Sequence, residues 1–121
     1  MEREEIFKYA KNVYGTTPEY LLRKYPSYAV LRMKETGKWY AVLMSVPMEK
    51  LGMEGNGERE ILNVKCDPEM VGALVQSKGF LPAYYMNKKD WISILLDGTV
   101  NEIEILDFLD RSYEQVEREK R

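Results

Sequence analysis

The chain has 121 residues, 45% hydrophobic and 31% charged, with a formal net charge of −2, one cysteine and no histidine. That length fits one domain spanning 1–121, whose core removes roughly 65% of the unfolded surface from water, and the composition excludes a disordered chain. Without histidine the commonest general base and metal ligand are missing, and a lone cysteine allows neither a disulfide nor a thiolate cluster.

In chain order, Glu2 to Tyr14 reads as an amphipathic helix: Ile6, Tyr9, Ala10 and Val13 recur at helical spacing, acids crowd its start, and Gly15 ends it. A second short helical turn is predicted over Thr17–Leu22, with Thr17 as N-cap and Pro18 in the first helical position, stopped by Pro26. From Tyr28 the pattern changes to β-branched and aromatic residues. Tyr28–Met33 and Lys38–Val46 are predicted strands joined by a hairpin turn over Lys34–Gly37, and Pro47 closes the second. Glu49–Gly57 carries three glycines and reads as a mobile connector, since their spacing is not that of a phosphate-binding loop.

Glu60–Lys65 is a third predicted strand. Asp67 as N-cap with Pro68 behind it starts the best-signalled helix, with Met70, Val71, Leu74 and Val75 expected on its buried side and Gly79 as its end. Pro82 forces the stretch Phe80–Asn87 to run extended or turned. Trp91–Leu96 is a fourth strand closed by a turn at Asp97 and Gly98. Asn101 with Glu104 three residues on is a capping-box signature for a last helix, whose buried stripe is Ile105, Leu109, Tyr113 and Val116 and whose end, 118–121, is expected to fray. Helices interrupting an antiparallel run define an α+β fold: a two-layer sandwich with an antiparallel sheet of about four or more strands and helices packed on it. There is no internal repeat and no linker.

No apolar run approaches the ~18 residues of a membrane span, and Met1–Glu5 lacks a secretory signature, so a cytoplasmic protein without membrane contact is expected. Charge is uneven along the chain. Between Lys8 and Lys50 eight basic residues face three acids, whereas from Asp97 to Glu119 eight acids face two bases. Either one face attracts an anion, or two solvated surfaces simply differ in sign.

Two patches mix cations with aromatic rings. Tyr84, Asn87, Lys88 and Lys89 lie beside Tyr85 and Trp91, and Arg32, Lys34, Lys38 and Trp39 surround the predicted hairpin tip. Cations suit phosphates and flat rings suit bases, so these eight residues are the candidate nucleic-acid contacts. The competing reading makes Trp91 and Tyr84 core residues and Asn87 a turn former, which suits the aromatics better and leaves the lysines open. Cys66, between strand and helix, reads as a small buried thiol. The acids Asp67, Glu69, Asp90 and Asp97 are explained by capping and turns, so no paired-acid mechanism is needed and a binding protein rather than an enzyme is expected, with no cofactor and no metal. A sequence pI near 5.3 lies far below the ~9 of a dedicated nucleic-acid domain.

Several pieces together resemble the MmcQ/YjbR family: Tyr14-Gly15, Pro26-x-Tyr28-x-Val30-x-Arg32, Lys38-Trp39 leading to Val46-Pro47, Lys65-Cys66-Asp67-Pro68, Pro82-Ala83-Tyr84-x-Met86-Asn87-Lys88 with Trp91, Leu96-Asp97-Gly98, and Ser112-Tyr113. The resemblance covers nearly the whole chain. It implies a sandwich like that of CyaY or of secretion chaperones, similar also to the "double wing" of a phage transcription factor, and a DNA-binding role in which the sheet and its hairpins meet double-stranded DNA. The alternative it implies is a protein-interaction or chaperone-like module with a protein partner. Where this chain has Tyr85 and Asp90 the family pattern usually has histidine, so a role needing an imidazole there does not carry over.

Overall fold

The computed structural model describes residues 1–119. Its elements run α1 (Arg3–Tyr14), β1 (Ala29–Arg32), β2 (Trp39–Pro47), β3 (Glu58–Lys65), α2 (Pro68–Leu74), β4 (Phe80–Pro82), β5 (Trp91–Leu95) and α3 (Glu102–Arg118). The five strands form one antiparallel sheet in the order β1-β2-β3-β5-β4. This is the expected α+β sandwich with one strand more than the pattern counted, because Phe80–Pro82 pairs with β5 at the sheet edge. Proline is tolerated there at a strand end.

The central strands are apolar on both faces, so the sheet carries two cores. Ala29, Leu31, Leu43, Leu62, Val64, Ile92 and Ile94 meet Ile6 and Ala10 of α1 and Ile105, Leu109 and Val116 of α3. On the opposite face Val30, Val42, Met44, Val46, Ile61 and Leu95 are buried beneath Leu22, Trp39, Leu51, Met53, Leu81, Tyr84 and Met86. These covering residues come from connectors, a 3₁₀ turn at Met48–Leu51 and strand ends, so no α-helix lies on this face.

A bulge in β2 separates the two layers near the hairpin. Leu31 pairs with Ala41 but Arg32 pairs with Trp39, leaving Tyr40 as the extra residue. Tyr40 and Ala41 consequently both face the helices, while Trp39 turns to the other side. Beside the bulge, Ser112 of α3 bridges the sheet: its Oγ donates to the Tyr40 carbonyl at 2.5 Å and accepts the Lys65 N–H at 2.8 Å. The buried serine thus satisfies two backbone groups next to the bulge.

α1 is held to α3 through one carboxylate, Asp110, which accepts the hydroxyls of both Tyr9 and Tyr14. Tyr14 also stacks on Tyr113 with ring centroids 4.1 Å apart. The expected caps are present, Asp67 accepting from the Glu69 N–H at 2.9 Å and Asn101 from the Glu104 N–H at 2.8 Å. Gly37 turns the β1-β2 hairpin with φ 74°, its N–H bonded to the Met33 carbonyl.

Four expectations are corrected. Thr17–Leu22 forms no helical turn, because Glu19 exchanges two backbone hydrogen bonds with Val30 and so shields the outer edge of β1. Part of Glu49–Gly57 is ordered as the Met48–Leu51 turn rather than a plain connector. α2 ends at Leu74, well short of Gly79, and has no fully buried residue: Val71, Leu74 and Val75 pack partly on the core, whereas Met70 is exposed. In α3 the buried stripe includes Phe108 and Ser112, with Tyr113 only half-buried. Of the end expected to fray, Arg118 still belongs to α3, and Lys120 and Arg121 lie outside the described residues.

Candidate functional site

The hairpin candidates are engaged within the fold. Arg32 makes a two-pronged pair with Glu19, Nε to Oε2 at 2.6 Å and Nη2 to Oε1 at 2.9 Å. That contact holds the Glu19 carboxyl below its ordinary range. Lys38 donates to the Glu119 carbonyl, and Trp39 is half-buried in the core of the α-helix-free face. Lys34 and Lys38 are exposed and form no ion pair among the described residues, Lys38 being held only by that backbone carbonyl.

The second group falls on the face without α-helices. A buried polar pair anchors it: Ser93 Oγ donates to Asn63 Oδ1 at 2.5 Å and accepts the Tyr84 N–H at 2.9 Å, tying the loop after β4 to the sheet centre. Tyr84 is half-buried, Asn87 shapes the next turn by accepting the Lys89 N–H at 2.9 Å, and Lys88 and Lys89 project into solvent. Trp91 is a core residue, 7% exposed.

Around Tyr84 the fold gathers residues that lie far apart in sequence. One open hollow of about 320 Å³ is lined by Lys24, Tyr25, Tyr28, Ser45, Lys50 and Glu58 together with Tyr84. A neighbouring one of about 300 Å³ is lined by Lys50, Leu51, Leu81, Pro82, Tyr84 and Lys88. Shared Lys50 and Tyr84 make them one groove. Tyr25 stacks on buried Tyr28, centroids 4.6 Å apart and planes at 12°, and Tyr85 meets both rings edge-on at 5.5 and 5.4 Å. Burial, with Tyr84, Tyr25 and Tyr85 close by, pushes the Tyr28 phenol up to about 12. Lys24, Lys50 and Lys88 are exposed and have no ion pair among the described residues, and the single acid in the groove, Glu58, accepts the Ser45 hydroxyl at 2.6 Å.

The structure therefore joins Tyr84 and Lys88 of the predicted residues, with neighbouring Tyr85 in ring contact, to Lys24, Tyr25, Tyr28 and Lys50, which the spacing missed. It leaves Arg32, Lys34 and Lys38 apart from them. The missed residues sit in two separate connectors, and the one signal for them in the sequence is the tyrosine and lysine content of Lys24–Tyr28.

Elsewhere, a cleft of about 310 Å³ between the β3–α2 junction and α3 includes Lys65, Cys66, Asp67, Arg111, Glu114 and Arg118. Acids answer two of its cations: Lys65 Nζ lies 3.0 Å from Glu119 and 3.7 Å from Asp90, and Arg111 Nε lies 3.0 Å from Asp107. Burial and then Asp67 push the Cys66 thiol up, against the pull of Arg111, as suits an inert buried thiol. Asp90, one of the two departures from the resemblance, thus serves Lys65, and its carbonyl accepts the Cys66 N–H. Tyr85, the other, is the one non-glycine residue with positive φ among the described residues, at 71°.

Fold and groove together define an α+β domain with helices on one sheet face and an open aromatic and basic groove on the other. The family model described as YjbR matches residues 11–115, and the chain belongs to the YjbR family. It is 47% identical over 113 residues to the uncharacterised protein YyaQ of Bacillus subtilis (strain 168), covering 93% of this chain and 96% of that one. A crystal structure of a Pseudomonas syringae protein superposes with TM-score 0.89 at 40% identity, over 93% of this chain and 96% of that one. A Deinococcus radiodurans protein, at 21% identity and TM-score 0.74 over 94% and 77% of the two chains, shares the fold.

Proposed function

We propose that the chain is a small cytoplasmic, non-catalytic DNA-binding module whose contact surface is the groove on the α-helix-free face. The observation that carries this reading is the convergence of Lys24, Lys50 and Lys88, unpaired among the described residues, around Tyr25, Tyr28 and Tyr84. Exposed cations that form no ion pair suit a phosphate backbone, and Lys89 extends the basic rim. The paired Arg32 and the tethered Lys38 are weaker candidates for the same reason. A low sequence pI is compatible because the acid-rich segment from Asp97 to Glu119 consists mainly of α3, on the opposite side of the sheet.

Amide chemical-shift mapping of the isotope-labelled protein, titrated with a random-sequence DNA oligonucleotide, tests this. Shifts concentrated at Lys24, Tyr25, Lys50, Tyr84 and Lys88 with α1 and α3 silent support the groove. Shifts confined to the hairpin tip at Lys34–Lys38 would move the contact surface there. A protein partner is the second reading, favoured by exposed Tyr20 and Leu21 in the connector that also carries Lys24 and Tyr25; a stable complex recovered with the intact protein, and no shifts on adding DNA, would support it.

A further inference from the structure

We infer that the groove receives an unpaired nucleic-acid strand, with bases laid against Tyr25 and Tyr85 and phosphates on Lys24, Lys50 and Lys88. This rests on the nucleic-acid reading above and narrows it from any DNA to a strand whose bases are free.

Tyrosines in this chain are mostly buried or packed, yet Tyr25 is 40% and Tyr85 49% exposed in the groove region. Neither ring is loose. Tyr28 backs Tyr25 by stacking, and Tyr85 touches both. Tyr85 moreover holds φ at 71°, a conformation that is uncommon for a bulky side chain and unfavourable unless the surroundings impose it. Its backbone is therefore fixed in a strained state that presents an aromatic ring to water. Strain of this kind collects where a side chain must be aimed at something.

The candidate occupants of an exposed, rigid ring flanked by lysines differ in whether their own flat faces are available. In a duplex every internal base is stacked on its neighbours, so a protein ring reaches only the backbone and groove edges, and lysines alone would suffice. In a single strand the base faces are open, and stacking on tyrosine adds to the phosphate contacts. Each of the two adjoining hollows, of about 300 and 320 Å³, has room for a single flat group, and Tyr25 lines the larger one. Lys50 and Tyr84 stand between the hollows, where a backbone linking two bases would pass.

The test is fluorescence anisotropy of the full chain with three labelled probes of one sequence: single-stranded DNA, single-stranded RNA and duplex DNA. The variants are Tyr25→Leu, Tyr85→Leu and Tyr85→Trp, each checked for native circular dichroism; the last keeps a ring and guards against reading a folding defect as lost stacking. Tighter binding of a single strand than of the duplex is expected, with each leucine variant about tenfold weaker for the strand, within twofold for the duplex, and Tyr85→Trp retaining affinity. The strand preferred, DNA or RNA, identifies its source. Equal binding of strand and duplex, unaffected by the leucine variants but lost in a Lys24→Ala, Lys50→Ala, Lys88→Ala triple variant, would overturn the inference while leaving the nucleic-acid reading intact. Failure to bind any probe at low salt would overturn both.

Discussion

Single residues with two duties connect the core to the groove. Ser93 is fully buried and bonds both the Asn63 amide oxygen and the Tyr84 N–H, so it tethers the loop that presents Tyr84 and Tyr85 to the sheet centre. Ser93→Ala leaves two buried polar groups without that partner and should cost about 1–3 kcal/mol in a denaturant titration. The Tyr84 amide should exchange faster with solvent in the variant, with α3 unchanged; unchanged exchange at Tyr84 would show that the loop is held by packing instead. None of this was legible beforehand, because serine at Ser93 reads only as the polar residue of an alternating strand. Asn101 and Asp67, by contrast, announce their caps, since capping depends on residues two or three positions away and not on tertiary contacts.

Among elements, the bulged β2 and helix α3 depend on each other. Ser112 occupies the gap at Tyr40 and Lys65, and Ser112→Ala should lower stability by about 2 kcal/mol, because two buried backbone groups lose a partner. Ser112→Thr tests the fit of the pocket, the added methyl being tolerated only if α3 moves; a neutral alanine variant would mean that the bulge relaxes on its own. Tyr14 and Tyr40, between α1, α3 and the sheet, and Tyr28 on the opposite face give a pH dependence. Burial, with Asp110 next, raises the Tyr14 phenol, and burial raises Tyr40 and Tyr28. A group whose folded pKa exceeds its unfolded value stabilises fully below the unfolded value and loses that contribution as pH climbs past it. Unfolding free energy should thus hold steady through pH 8–9 and fall above about 10, by at most ~1.4 kcal/mol per pH unit for each tyrosine. A flat profile to pH 11.5 would contradict the burial of these rings. Helices α1 and α3 and four strands follow from hydrophobic periodicity over long runs. Thr17–Leu22 misled because the local cues for a helical turn are outweighed by pairing of Glu19 with Val30, a contact between residues that sequence spacing does not relate.

At the scale of the molecule, the sheet is apolar on both faces but shielded by helices on one alone. The other face is covered by connectors, and connectors can bring side chains from many parts of the chain into one groove. That is why Tyr84 and Lys88, which lie together in sequence, were found, and why Lys24, Tyr25 and Lys50 were not. The hairpin tip looked equally basic in the sequence; the pairing of Arg32 with Glu19 needed the fold to be seen. The central claim is that the functional surface is this groove. It is tested most directly by measuring anisotropy of a labelled single-stranded oligonucleotide at about 50 and 200 mM salt with three proteins: wild type, the Lys24→Ala, Lys50→Ala, Lys88→Ala triple variant, and an Arg32→Ala, Lys34→Ala, Lys38→Ala hairpin variant. Three phosphate contacts predict that wild-type affinity falls roughly twentyfold over that range, that the groove variant binds weakly at both salts, and that the hairpin variant tracks the wild type. Binding that survives loss of the groove lysines but disappears with the hairpin cations would contradict the account.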